Sequence, residues 1–349
     1  MDLPVVPTER RSRVTHAIPY VFVAAAGIVL VVVNHADVPL AVRAVRHARP
    51  AFVAVALLLV VAALGNQVAL HSAAQRAAGL KFPPATLIRP VAAAGFFNLV
   101  AKSGAMAGLA PMLQMSARHK KSRGATVAAY LLVNVLGHLA FAVVLAASLI
   151  VMATDGRFSR VDAVAAVFFS LITMIQVTAV GAAVRSRSTL RRMYGFTSRL
   201  TRRAAFWKPT RRVTSDDPAA NTTAADELFE AVQLLRRNPQ LAWPTVLHAV
   251  GVEIIGVSQL WCILVALGQP PRIVVPVVAY AISVLFAIIG FLPGGLGFVE
   301  VGLGAVLVSF GVTGATAAAA VVLYRVMELW LPLLIGAVAV HSLAKQPTL

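Results

Sequence analysis

Glu253, Glu300, Arg325 and Glu328 fall in or beside long apolar stretches. A charge held at membrane depth is costly, so residues of this kind are functional candidates by default. Glu300 follows the run Pro293-Gly294-Gly295-Leu296-Gly297 by three residues. Pro removes a helical donor and Gly weakens the helix, so this run reads as a break with Glu300 in the first turn beyond it. The positive helix end and its free N–H groups favour a carboxylate there. Glu300 is therefore either a capping acid or an ion-paired, proton-linked carboxylate on a substrate path. Arg325 lies 11 residues into the last apolar span, too deep to reach water by snorkelling. It needs a partner, which Glu300 or Glu328 can supply, the latter at i+3 on the same helical face. An arginine at this depth also suits a lipid phosphate. Glu253, midway along its span, has no local partner; it is protonated, paired across helices, or facing a cavity.

In the first half, Lys102 stands before a second break, Ser103-Gly104. A cation there is placed to meet a lipid phosphate from the cytoplasmic side. Asn66, Gln67, Asn98, Asn134, Gln176 and Gln259 read as interhelical hydrogen-bond partners, and Gly104-x-x-x-Gly108 as a mark of close backbone packing. The eight histidines are dispersed, and no HExxH, Cys/His, GxSxG, P-loop or dinucleotide pattern occurs. No metal, cofactor or enzymatic activity is expected. Cys262, the only cysteine, excludes an internal disulfide and reads as a small core residue.

The elements that must position these residues follow from composition. The chain has 349 residues, 59% hydrophobic and 13% charged, with a mean hydropathy of +0.82. That is too little charge for a water-facing surface, which excludes a soluble globular enzyme, a disordered chain and a fibrous repeat. The expected fold class is an all-α polytopic membrane protein. Net charge is +18, most of it in loops between apolar spans. The basic excess is therefore assigned to positive-inside topology and anionic phospholipid headgroups, not to nucleic acid.

Spans are expected from Ala17 to Asn34 and over 51–71, 125–152, 162–184, 241–266 and 315–342, with interrupted apolar stretches at 85–113 and 272–311. Making both interrupted stretches re-entrant places 23 Lys/Arg on the cytoplasmic side and 6 outside. Both termini are then cytoplasmic, in a bacterial inner (plasma) membrane. The two breaks repeat at an offset of 190: Ser103-Gly104 maps to Pro293-Gly294, and Gly124-Ala125-Thr126 to Gly314-Ala315-Thr316. Each half holds about three crossing helices and one broken or re-entrant hairpin, an odd number of crossings, so the halves are expected to be inverted repeats, a transporter arrangement. The organisation is a basic N-terminus over 1–16, a first membrane repeat over 17–152, and a second over 162–342 interrupted by a basic loop at 185–240. Within that loop, Leu190, Met193, Tyr194, Leu200, Ala204 and Trp207 suit an interfacial helix. Residues 213–225 read as flexible, and a short amphipathic helix runs from Asp226 to Arg237.

The motif Pro293-Gly294-Gly295-Leu296-Gly297-x-x-Glu300 with Leu323-Tyr324-Arg325 resembles the lysylphosphatidylglycerol synthase transmembrane-region family. That family comprises the flippase domain of multiple peptide resistance factor and stand-alone relatives of the YbhN type. The resemblance covers most of the chain. It implies an integral-membrane fold that moves lipids such as aminoacylated phosphatidylglycerol between leaflets, with Pro293, Gly294, Gly295, Gly297, Glu300 and Arg325 carried over by motif. Relatives often carry an Arg in the helix after the first break, where this chain has Asn134 and Val135. Either a phosphate contact in this half falls to Lys102 or Arg118, or the substrate differs. No soluble aminoacyl-transfer domain is expected, so synthesis of lysylphosphatidylglycerol by this chain is not. The expected site comprises Lys102, Gly104, Glu253, Glu300, Arg325 and Glu328 with the second break. A lipid flippase acting on an anionic, aminoacylated or glycosylated phospholipid or a polyprenyl-phosphate lipid is the leading expectation. The alternative is a non-transporting partner of an envelope-lipid synthase, and a homo-oligomer is compatible with either.

Overall fold

The computed structural model describes residues 46–101, 106–156, 160–185, 218–290 and 292–345. The expected first span, the Lys102–Gly104 break and the interfacial stretch around Leu190–Trp207 lie outside the described residues. All described elements are helical: α1 (Pro50–Ala77), α2 (Pro84–Val100), α3 (Leu109–Arg118), α4 (Arg123–Thr154), α5 (Arg160–Arg185), α6 (Pro218–Arg237), α7 (Trp243–Ala266), α8 (Val274–Ile289), α9 (Phe298–Ser309), α10 (Gly314–Arg325) and α11 (Leu331–Ala344). A single π-helical turn, Val326–Trp330, joins α10 to α11, and a 3-10 turn, Pro239–Ala242, leads into α7.

Among the described residues, four continuous helical runs are long and apolar enough to cross a membrane: Pro50–Ala77, Arg123–Thr154, Pro239–Ala266 and Gly314–Ala344. Their starts are written in the sequence. Pro50, Pro84 and Pro239 occupy first-turn positions, where the missing N–H costs nothing. Ser122 and Thr313 cap α4 and α10 by accepting from the N–H groups of Ala125 and Thr316. Val143, Val164, Val301 and Val338, all exposed, lie on the outward surface of this apolar body.

Helices α3 and α9 are short, 10 and 12 residues. At 1.5 Å per residue they extend only about 15–18 Å, roughly half the hydrocarbon thickness. Both interrupted stretches fold back as hairpins. A Cβ on Gly302 would run into the ring of Phe286, a residue that a straight helix would place about 24 Å away. A Cβ on Gly108 would come 2.8 Å from the Ala94 carbonyl oxygen, closing α3 onto α2 in the same manner.

The element boundaries repeat at an offset within one residue of 190. Helices α1 to α4 begin at 50, 84, 109 and 123, and the runs of the second half begin at 239, 274, 298 and 314. The packing follows the same exchange. Helix α1 lies along α7, its own counterpart; α2 packs on α11 while α4 packs on α8; and each hairpin packs internally. At the α2–α11 crossing a Cβ on Gly336 would come 2.7 Å from Phe96 Cβ, so glycine lets these helices touch.

Helix α6 begins at Pro218, eight residues before the expected Asp226. Proline is pre-set for a first helical position, and Ala219, Ala220, Ala224 and Ala225 favour helix over the flexible chain expected there. Its apolar face is turned inward, with Leu228 and Ala231 buried in the same cluster as Val127 and Ala128 of α4. Glu227 Oε2 accepts from Ser122 Oγ at 2.8 Å and from Gly124 N at 2.9 Å, satisfying the start of α4. Glu227→Ala is expected to destabilise the fold by about 1–2 kcal/mol, the range for losing a helix cap with a charged acceptor. Equilibrium denaturation of purified protein checks this; a midpoint equal to the native one would contradict it.

Candidate functional site

The second break is held by an ion pair. Gly294, Gly295 and Gly297 take positive φ values of 62°, 66° and 82°, a left-handed course that residues with a Cβ avoid. This turn presents the Gly294 carbonyl inward. Arg325, arriving at the end of α10, donates from Nε to Glu300 Oε1 at 2.7 Å and from Nη1 to the Gly294 carbonyl at 3.0 Å. Both side chains are about 4% exposed. Of the two partners the sequence offers Arg325, the structure selects Glu300. The pair fastens the break and the start of α9 to α10. Glu300 Oε2 and Arg325 Nη2 are buried with no hydrogen-bond partner among the described residues.

Glu328 takes a different course. It lies in the π turn, where the i→i+5 pattern breaks the regular i+3 stacking under Arg325. Half-buried, it lines a cavity of about 380 Å³ between the two halves, bounded by α1, α2, α7, α8 and the π turn. A second cavity of about 260 Å³ adjoins it and is lined by Glu253. Gln67, His71, Asn98, Val252 and Val284 line both and form the constriction between them. Glu253 is buried within electrostatic range of Tyr280 of α8, and its Oε2 has no partner among the described residues. Of the three states open to Glu253 from the sequence, it is cavity-facing. The Tyr280 ring fits against α7 because residue 256 is glycine; a Cβ there would overlap it.

Among the described residues, no Lys or Arg lines either cavity. Arg325, expected beside a lipid phosphate, is instead taken up by Glu300 and the Gly294 carbonyl. Lys102 and Gly104 lie outside the described residues.

The first half closes its hairpin with neutral groups. Positions 110 and 135, which correspond to Glu300 and Arg325, are Ala110 and Val135. In place of the ion pair, Gly108 N donates to Asn98 Oδ1 at 2.7 Å, and Asn98 Nδ2 donates to the Tyr130 hydroxyl at 3.0 Å. Asn98 thus binds the second arm of the hairpin and α4 at once. Asn134 donates to the Tyr130 carbonyl at 2.8 Å and His138 contacts the Asn134 carbonyl at 2.8 Å, both within α4. Asn66 bonds His248 across the α1–α7 crossing at 2.8 Å, and Gln259 reaches the Ala56 carbonyl at 3.3 Å, the interhelical role expected of both.

His71, Tyr130 and Tyr280 were not singled out by spacing. A histidine and two tyrosines within apolar spans are themselves a signal, since each carries a polar atom that must be satisfied away from water. No curated protein matches this chain. The family model for the lysylphosphatidylglycerol synthase TM region matches residues 18–336, which takes in both hairpins, the ion pair and the two cavities. This multi-pass membrane protein belongs to the lysylphosphatidylglycerol synthase transmembrane-region family.

Proposed function

We propose that this chain is a lipid transporter that moves a phospholipid headgroup through the two cavities between its halves while the acyl chains stay in hydrocarbon. The observation that carries the reading is the pair of adjoining cavities, about 260 and 380 Å³, at the meeting of two similarly built halves. Their sizes suit small-molecule sites, and their lining combines apolar walls with a few polar groups. Glu253 on one side and Glu328 on the other suit an amine-bearing headgroup better than one with phosphate alone. Aminoacylated phospholipids are the favoured class, with glycosylated or polyprenyl-phosphate lipids behind them.

The offset of 190, seen in both boundaries and packing, supports duplication of one unit. Short hairpin arms that reach halfway across the bilayer support re-entrance, and an odd number of crossings per unit supports inversion. In such a frame the Glu300–Arg325 bolt is the element that keeps the second hairpin in place. No catalytic step is assigned to the chain. The alternative role, docking a lipid synthase, gains nothing from α6, whose apolar face and Glu227 are directed at the chain's own helices.

Transbilayer movement of labelled lipids in proteoliposomes tests the proposal. The panel holds lysylphosphatidylglycerol, phosphatidylglycerol, a polyprenyl-phosphate sugar and a zwitterionic control, with a Glu253→Gln/Glu328→Gln double variant beside the native protein. Movement selective for the amine-bearing lipid, lost in the double variant, is the expected result. Protein that is folded yet moves none of these lipids would overturn the transporter reading.

A further inference from the structure

A phenol stands between the two carboxylates of the cavities. Glu253 faces the smaller cavity with one oxygen unpartnered, and Tyr280, whose ring and hydroxyl pack on α7 at Gly256, one turn along from Glu253, lies within electrostatic range of it. Tyr280 lines the larger cavity, as does Glu328, which lies within electrostatic range of both Tyr280 and Glu253. A tyrosine hydroxyl both donates and accepts, so it can pass on a proton without ionising in the net. The larger cavity has room for bridging waters and polar groups to hold them.

We infer that Glu253, Tyr280 and Glu328 form a proton relay between the two cavities, which exchanges protons for the lipid amine and so couples lipid movement to a proton gradient. The inference rests on the transporter reading and adds its energy source. In one direction the acid of Glu328 gives its proton, through water, to the Tyr280 oxygen, while the Tyr280 hydroxyl proton passes to the Glu253 carboxylate. Glu328 is left as carboxylate, Glu253 as acid, and Tyr280 is unchanged. A carboxylate freed of its proton is then open to the amine, and an arriving amine holds the proton off, so amine and proton occupy each carboxylate in turn.

The other charged and titratable groups around the relay are few. The other titratable groups facing Glu253 are His71 from α1 and Tyr130 and His138 from α4. Facing Glu328 are His71 across the larger cavity, with Tyr324 and Arg325 beside it in the chain. Arg325 is held by Glu300, so its charge is balanced and Glu328 is left to the cavity. His248, on the same helix as Glu253, is taken up by Asn66.

The test imposes a pH gradient of either sign across proteoliposomes and follows labelled lysylphosphatidylglycerol together with an entrapped pH dye. Native protein should move lipid several-fold faster under one sign of gradient than the other, with proton flux opposite to lipid. Tyr280→Phe keeps the ring against Gly256 and removes the hydroxyl. It should lose the difference between the two signs of gradient, whatever its rate without one. Equal native rates under both signs, or lipid movement without proton flux, would overturn the relay while leaving the transporter standing. A Tyr280→Phe protein that kept the native gradient response would overturn it as well. No lipid movement under any gradient would instead remove the transporter reading, and the relay with it.

Discussion

Arg325→Leu destabilises the folded protein by about 3–5 kcal/mol, the range for removing one partner of a buried ion pair. The size follows from what is left behind. Glu300 Oε1 loses its donor at 2.7 Å, Glu300 Oε2 has no partner already, and the Gly294 carbonyl loses its donor at 3.0 Å. One charge and one carbonyl are then stranded in a site about 4% exposed, where water cannot repair the loss. Glu300→Leu alone also costs several kcal/mol, because Arg325 keeps only the carbonyl. The double variant Glu300→Leu/Arg325→Leu should recover most of the loss, since an apolar pair of similar volume has no charge to desolvate. Denaturation midpoints of the three variants form a double-mutant cycle. If the double variant is as unstable as the two single losses added together, the pair does not act as a unit and the bolt is refuted. Positions 110 and 135, offset by 190 from the pair, are Ala110 and Val135, uncharged residues of the kind the double variant would introduce.

The breaks were legible because their chemistry is local. Pro293 and the glycines after it cannot continue a helix, and the hairpin turns where they stand. The spans over 125–152 and 315–342 likewise match α4 and the run from Gly314 to Ala344, because twenty apolar residues in a row have few other uses. Helix α1 runs past its expected end at residue 71 to Ala77, since Ser72, Gln75 and Arg76 interrupt hydropathy without interrupting helix. Ser72 and Gln75 are buried by neighbours that no local window contains.

Partnerships were less legible, for the same reason. Glu300 and Arg325 were both visible as costly charges, yet the alternative of Glu328 at i+3 was equally local. The π turn decides against it, and a π turn leaves no periodicity to read in five residues. Glu253 was visible as a lone acid, but its cavity is built from α1, α2, α4 and α8. The tyrosine beside it lies 27 positions away and is admitted by a glycine at 256. Single-residue cost is written in the sequence; contact between distant helices is written only in the fold.

Gly295→Ala is the second large loss, and its argument separates two things that glycine does at one turn. At φ 66° any Cβ carries the left-handed penalty of about 1–2 kcal/mol. At residue 295 that Cβ would also come 2.7 Å from the Ala287 Cα, 2.9 Å from Val299 Cγ2 and 3.2 Å from the Phe286 carbonyl. The first and last of these are backbone atoms of α8 and cannot swing aside, so α9 must move away from α8. Overpacking of this kind adds about 1–3 kcal/mol. Gly294→Ala is the control: at φ 62° and ψ 12° it carries the same left-handed penalty, but its nearest neighbour at 2.6 Å is a terminal methyl of Leu329, which can rotate. Gly297 has nothing within 4 Å of its Cβ but stands at φ 82° and ψ −45°, outside the left-handed helical well, so its loss is a different conformational penalty. The expected order of denaturation midpoints is therefore Gly294→Ala above Gly295→Ala. Equal losses at 294 and 295 would mean that the turn needs glycine only for its dihedrals and that the hairpin arms are free to part. A larger loss at 295 means that their close approach is itself structural, which holds Glu300 in reach of Arg325.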